Sequence, residues 1–373
     1  MNNNTKKQHH VHEPRVKVVK RDGMVWYKAW GVRIIAVLLV LAVCSVVLVV
    51  LTSMLGNIYN PIEIFATMFK GNFGTARKVW NTMHDMALLL CISLAVTPAF
   101  KMKFWNIGAE GQTLIGGLCA AACMKYLGAS VPPYLMIPVM TIVCILSGVI
   151  WGIIPAFFKA KYNTNETLFT LMMNYVAMQL VRVMIAIWVP SGSGILQAMK
   201  VGKLPVLFGI KPLFNIIVVA LLTVGMYVYL KYSKHGYEIS VVGESENTAR
   251  YIGINVKKVI LRTMALSGGL CGLAGMLIVA GTDYTVASTS AGGMGFTAIM
   301  VSWLAKFNPV VMILTSLLIV FFEGGASEIA TAFSLNQSIA DIITGIILFF
   351  IIGSEFFVNY KINFRSHKNH KEV

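Results

Sequence analysis

The chain has 373 residues, 57% of them hydrophobic and only 12% charged, with a formal net charge of +16. A soluble domain is about a quarter charged, so this balance excludes an ordinary water-soluble fold, and the recurring apolar runs of about 20 residues are each long enough to cross a bilayer as a helix. The alternating segments of a membrane β-barrel are absent, and the basic residues gather in the ends and short loops, as the positive-inside bias demands, rather than in a nucleic-acid patch.

Residues 1–33 read as a polar, basic arm, too long and too poorly followed by a cleavage site for a secretory signal. Its His9, His10 and His12 have no second ligand cluster nearby, so no metal site is expected. Apolar spans are predicted at 34–55, 82–100, 112–128, 134–157, 164–188, 213–232, 260–281, 296–307, 310–325 and 338–358, the eighth short enough to be a half-helix. Between the first two, "NPIEIFATMFKGNF" reads as an amphipathic helix lying at the interface. Residues 359–373 form a basic tail. Ten spans put both termini on one side, and, leaving aside Lys125 and Arg182 near span ends, that side collects 23 lysines and arginines against six on the other. The expected fold is therefore an all-α polytopic membrane protein of about ten transmembrane helices, with both termini cytoplasmic. The six cysteines (44, 91, 119, 123, 144 and 271) all fall in apolar runs and read as small core residues, without disulfides or metal.

Four motifs interrupt this pattern. "KFWNIGAEGQ" (103–112) places Asn106, Glu110 and Gln112 between apolar runs, with Gly108 and Gly111 weakening any helix. On a continuous helix Asn106 and Glu110 would share a face. Two readings stay open: these groups line a polar path, or they brace a broken helix whose backbone needs partners. Glu323, Glu328 and Asp341 are further carboxylates in or beside apolar spans, and such groups are functional candidates by default.

The longest polar interruption covers 231–258. Within it Ser245 can cap a short helix whose first turn holds Glu246, with Gly253 closing it. Two turns are not stable alone in water, so the bundle or a partner must hold them. "SGGLCGLAG" (267–275) sets Gly268, Gly272 and Gly275 as a small face for close helix contact, where Gly→Leu should disrupt assembly. "GTDYTVASTSAGGMGF", from 281, reads as a break that re-enters the membrane. There is no phosphate loop, nucleophile elbow or metal-binding His pair, and the chain is expected to perform no chemistry of its own.

Five stretches, "FWNIGAEGQTLIGG", "NTNETLFTLMMNYVA", "VVGESENTARYIGINVKKV", "SGGLCGLAG" and "GMGFTAIMVSWLAKFNP", resemble in order and spacing one transporter family. It comprises the membrane permeases of ATP-binding-cassette importers of the branched-chain amino-acid/ribose type, and the nucleoside branch in particular. The resemblance runs from about 34 to 358 and implies a permease domain over 34–358, with a cytoplasmic coupling loop at 233–258.

It implies that Glu244, Ser245, Glu246, Asn247, Thr248, Ala249, Arg250 and Gly253 dock on a separate ATPase. On that basis, bulky residues at Ala249 and Gly253 should leave the protein inserted but uncoupled. Family members often carry Asn-Pro where Ser245-Glu246 stands here, a mild departure. Trp105, Asn106, Glu110, Gln112, Asn174 and Phe296 become the candidate substrate path, offering aromatic faces and polar groups to a nucleoside. The implied partners are a second, often different, permease chain, an ATPase dimer and an extracellular binding lipoprotein, at the cell membrane. ATP and magnesium are used by the ATPase, and this chain binds no cofactor. The alternatives are a monosaccharide permease of the same superfamily and an ion-coupled secondary transporter.

Overall fold

The structure, a computed structural model, describes residues 16–21, 24–54, 60–189 and 195–364. The three arm histidines lie outside these residues. All ten predicted spans are helical. In chain order the helices are α1 (Trp26–Met54), α2 (Pro61–Phe73), α3 (Ala76–Lys101), α4 (Ala109–Tyr126), α5 (Pro133–Tyr162), α6 (Glu166–Trp188) and α7 (Leu213–Tyr232). There follow α8 (Lys234–Glu244), α9 (Glu246–Tyr251), α10 (Val256–Ile278), α11 (Met294–Leu304), α12 (Pro309–Ala332) and α13 (Gln337–Asn359). Strands β1 (Val16–Lys20) and β2 (Tyr360–Phe364) complete the described chain.

Among the described residues, eight helices are long and apolar enough to cross a membrane. The predicted third and eighth spans, α4 and α11, are not among them. Helix α4 carries Glu110, Gln112 and three glycines within 18 residues. Helix α11 has 11 residues and at 1.5 Å per residue reaches only about 16 Å, roughly half a hydrocarbon core.

The chain divides into two compact units, residues 65–340 and residues 1–64 with 341–373. In the larger unit α10 packs against α5, α4 and α3, and α3 and α10 are buried along most of their length. Helix α5 shows why. Met136, Met140, Cys144, Gly148 and Gly152, every fourth residue, turn inward, while Ile142, Leu146 and Ile150 turn out. That spacing is one face of a helix, and the opposite face is apolar as lipid requires.

The inward α5 face meets the small face of α10. A Cβ on Gly268 would strike the Gly148 carbonyl, and one on Gly272 would strike the Cys144 carbonyl. On the other side of α10, a Cβ on Gly275 would strike the Thr113 carbonyl of α4, and one on Gly116 the Gly272 carbonyl. Lipid tails are as apolar as leucine, so helices here gain from close backbone packing rather than from hydrophobic segregation.

The re-entering break opens with a π-helical turn, Val279–Asp283, at the end of α10 and runs on through turns to Gly292 and Gly293, both left-handed, before α11. Its irregular backbone finds partners on the 195–212 loop, where Leu204 N–H bonds the Ala280 carbonyl at 3.0 Å and Met199 N–H bonds the Tyr284 carbonyl at 2.7 Å. Asn215 donates to the Leu277 carbonyl at 3.1 Å, filling the gap the π turn opens.

In the smaller unit, β1 and β2 pair antiparallel with Val18 opposite Ile362, and Arg33 of α1 pairs with Glu355 of α13 at 2.9 Å. The sequence reading took both strand segments as polar ends. Their partner lies some 340 positions away, beyond any local pattern.

Candidate functional site

The break between α3 and α4 is short and tightly bonded. Lys103 takes the left-handed conformation, φ 61°, and turns the chain back, while Phe104 N–H bonds the Ala99 carbonyl at 2.9 Å. Helix α4 begins only at Ala109, so Asn106 precedes it. The shared face that a continuous helix would give Asn106 and Glu110 does not form, because the chain breaks here, as the glycines suggest, and the helix starts three residues after Asn106.

Asn106 is buried and all its polar atoms are engaged. Its Oδ1 accepts from Gly108 N–H at 3.1 Å and from Gln112 Nε2 at 3.2 Å. Its Nδ2 donates to Ser267 Oγ on α10 at 3.0 Å and to Gln112 Oε1 at 3.3 Å. From α6, Asn174 accepts from Gly111 N–H and donates to the Ile107 carbonyl, both at 2.8 Å. Gly111 allows that approach, since a Cβ there would press on Asn174 itself.

Glu110 points elsewhere. Its two carboxylate oxygens accept from Gly293 N–H at 2.9 Å and Gly295 N–H at 2.8 Å. Those are orphan donors at the N-terminus of α11, so Glu110 caps a helix nearly two hundred residues away and sits at its positive end.

Of the six candidate path residues, the structure thus gathers Asn106, Gln112 and Asn174 around one loop and sends Glu110 to α11. These four are buried, with polar groups committed to protein. Trp105 and Phe296 are the two with open faces, 45% and 41% exposed. Trp105 lies 5.7 Å, centroid to centroid, from Trp303. Of the other carboxylates, Asp341 is exposed on α13, and Glu323 and Glu328 line a cavity described below.

The second element is the α8–α9 turn. Ser245 Oγ accepts from Thr248 N–H at 3.2 Å. At the far end Gly253, φ +85°, donates to the Arg250 carbonyl at 3.0 Å, and Ile254 N–H reaches the Ala249 carbonyl at 2.9 Å. Both caps stand where the sequence put them, and the second is a paired left-handed closure.

The bundle holds this turn. Ala249 is fully buried in a cluster with Met102, Phe104, Ile239, Val242 and Met264. Helix α8, which lies within the polar interruption of 231–258, is the platform. A Cβ on its Gly243 would strike the Lys101 carbonyl, and its Glu238 takes a 2.8 Å bond from Arg262 of α10. That bond holds the Glu238 carboxyl below the usual carboxylate range.

Burial changes one expectation. A bulky residue at Ala249 would lift the turn off its platform and not merely block a surface, so it cannot separate docking from folding. The outward face is Tyr251, 92% exposed, beside the exposed Glu246–Arg250 pair at 3.1 Å. The sequence reading passed over Tyr251. An aromatic in the last turn of a capped, polar loop was the available signal.

With this geometry in place, the comparisons are specific. The model of the family described as branched-chain amino acid transport system / permease component matches residues 79–352. The chain belongs to that family.

Three curated relatives run along most of it. The glucose ABC transporter permease TsgB13 of Haloferax volcanii is 28% identical over 92% of both chains. The guanosine ABC transporter permease NupP of Bacillus subtilis is 28% identical over 87% of this chain and 93% of its own. The nucleoside ABC transporter permease NupB of Lactococcus lactis is 26% identical over 79% of this chain and 84% of its own. As an ABC permease of this family, the chain is a multi-pass cell-membrane protein that works with an ATPase partner and a substrate-binding protein.

Proposed function

We propose that this permease imports nucleosides, purine nucleosides foremost, as one of two membrane chains driven by an ATPase dimer and fed by an extracellular binding lipoprotein. In this reading the chain crosses the membrane ten times, with α4 and α11 as the short crossings and both termini cytoplasmic. The observation that carries it is the α9 turn, which is capped at both ends, anchored on a buried platform and topped by an exposed aromatic. Such a turn transmits force only if a partner grips it. The nucleoside assignment draws on the guanosine and nucleoside relatives, which span most of this chain. The glucose relative supports a sugar as the second reading.

Vesicles carrying the importer with its own ATPase and binding protein decide between them. ATP-dependent uptake of tritiated guanosine that survives a protonophore is the expected result. Uptake of glucose but not guanosine would select the second reading, and uptake driven by a proton gradient without ATP would overturn both.

The docking turn makes a separate prediction. Tyr251→Ala removes an exposed ring and should leave detergent stability nearly unchanged, since surface substitutions shift it by no more than about 0.5 kcal/mol. Substrate-stimulated ATP hydrolysis should fall about tenfold or more, as for loss of an interface anchor. Wild-type ATPase coupling in Tyr251→Ala would remove α9 as the docking point.

A further inference from the structure

Where α2, α3 and α12 meet at one end of the larger unit, they enclose a cavity of about 320 Å³, within the roughly 300–1,000 Å³ of small-molecule sites. We propose that this cavity receives the hydroxyl-rich part of the transported solute, the ribose of a nucleoside or a hexose ring, with Asp85 and Glu323 as the hydroxyl acceptors. The proposal rests on the importer reading above.

The helices put polar groups there by simple periodicity. Lys78, Asn81, Thr82 and Asp85 fall within two turns on one face of α3, each three or four residues from two of the others, while on α12 Val320, Gly324 and Glu328 repeat every four residues with Glu323 beside Gly324. Leu89, Met294 and Val320 supply an apolar wall. Two glycines let the helices close in. A Cβ on Gly324 would press on the Asn72 side chain, and one on Gly71 on Glu328.

Several of these groups are already engaged. Lys78 Nζ pairs with Glu328 at 2.6 Å, and Thr82 Oγ1 bonds the Asn72 carbonyl at 3.3 Å. Glu323 differs. Among the described residues no donor bonds its carboxylate, whereas in the same bundle each Glu110 oxygen takes a backbone N–H. Asp85 has only the His84 ring nitrogen, 3.6 Å away, beyond hydrogen-bond range.

The Asp85 side chain is half-exposed and Glu323 is partly so, so both carboxylates keep acceptor sites open at the cavity that no protein donor fills. Vicinal hydroxyls supply the missing donors. The site offers acceptors while its lysine is occupied, so it suits a neutral polyol and disfavours a phosphorylated one. No group of three or more metal-ligating side chains occurs among the described residues, which directs the reading to an organic solute. By the parity of the proposed topology this end of α3 and α12 faces outward, where a binding protein would release its cargo.

The test uses vesicles holding permease, ATPase and binding protein, with tritiated guanosine and glucose as probes and 2′,3′-dideoxyguanosine as competitor. Glu323→Gln and Asp85→Asn are each expected to raise the half-saturating concentration of the imported probe about tenfold or more, the worth of a hydrogen bond to a charged group. Asp341→Asn, outside the cavity, should match wild type. Because the binding protein is the same throughout, a narrowed preference for guanosine over its dideoxy analogue in Glu323→Gln reports the permease itself.

If glucose alone is imported, the nucleoside reading fails while the cavity is tested on glucose. Unchanged half-saturation in both variants overturns the cavity. So does an equal loss of guanosine and dideoxyguanosine uptake, and so does a wild type that imports neither probe. Should Glu323→Gln not fold, Glu323→Asp, which withdraws the charge by one methylene, carries the same expectation.

Discussion

Gly272→Leu is expected to yield no stably folded permease. Gly272 is enclosed from two directions. Its own Cβ would strike the Cys144 carbonyl of α5, and its backbone is the surface that a Cβ on Gly116 of α4 would meet. Overpacking a core with flexible neighbours costs about 1–3 kcal/mol, but here the obstructions are helix backbones, which cannot rotate away. Separating α10 from both neighbours would also open the Gly268–Gly148 and Gly275–Thr113 contacts along the same seam. A loss above about 4 kcal/mol, in the exceptional class, is the expectation. Even Gly272→Ala should lower the melting temperature in detergent by several degrees.

Gly225 of α7 provides the control. No atom lies within 4 Å of a Cβ built there, so Gly225→Ala should be neutral or gain up to about 1 kcal/mol from helix propensity. A Gly272→Leu protein that elutes as a single peak and melts with wild type would disprove the close packing of α10.

That contrast also marks what the sequence could and could not reveal. The small face of α10 was legible because glycines four apart have one dominant use inside lipid. Its partners on α4 and α5 were not, since Gly116, Gly148 and Gly152 sit in runs that read as ordinary spans. The caps of α9 were legible because Ser245 and Gly253 act on backbone groups three or four residues away. Its platform was not, because Ala249 and Gly243 are small residues whose burial depends on α3 and α10. The eight long apolar helices followed from apolar length, whereas α4 and α11 are too polar or too short for length alone to mark them. Asp85 went unremarked in a span where its neighbours on α12 are more than two hundred positions distant. Local chemistry is written locally, and the site is mostly assembled from afar.

The break at 103–112 is the sharpest case, and Glu110→Gln separates its two readings. In the folded protein the Glu110 carboxylate receives both Gly293 N–H and Gly295 N–H, and it is almost completely buried. A glutamine keeps the shape but presents one acceptor and one donor group, so one buried N–H at the start of α11 faces another donor. An orphaned buried group costs about 1–3 kcal/mol, and the lost negative charge at the helix N-terminus adds about 0.3–1 kcal/mol. The expected result is a protein about 2–3 kcal/mol less stable, with uptake and thermal stability in detergent falling together. Glu110→Asp should fare no better, because one methylene less withdraws both oxygens from α11. Asn106→Ala should follow the same course, since it strips partners from Gly108 N–H, Gln112 and Ser267. If instead Glu110→Gln melts like wild type and loses only uptake, the carboxylate serves the solute and the cap is incidental. The geometry favours the brace, because each oxygen is already bonded to a backbone N–H and the group is almost wholly buried.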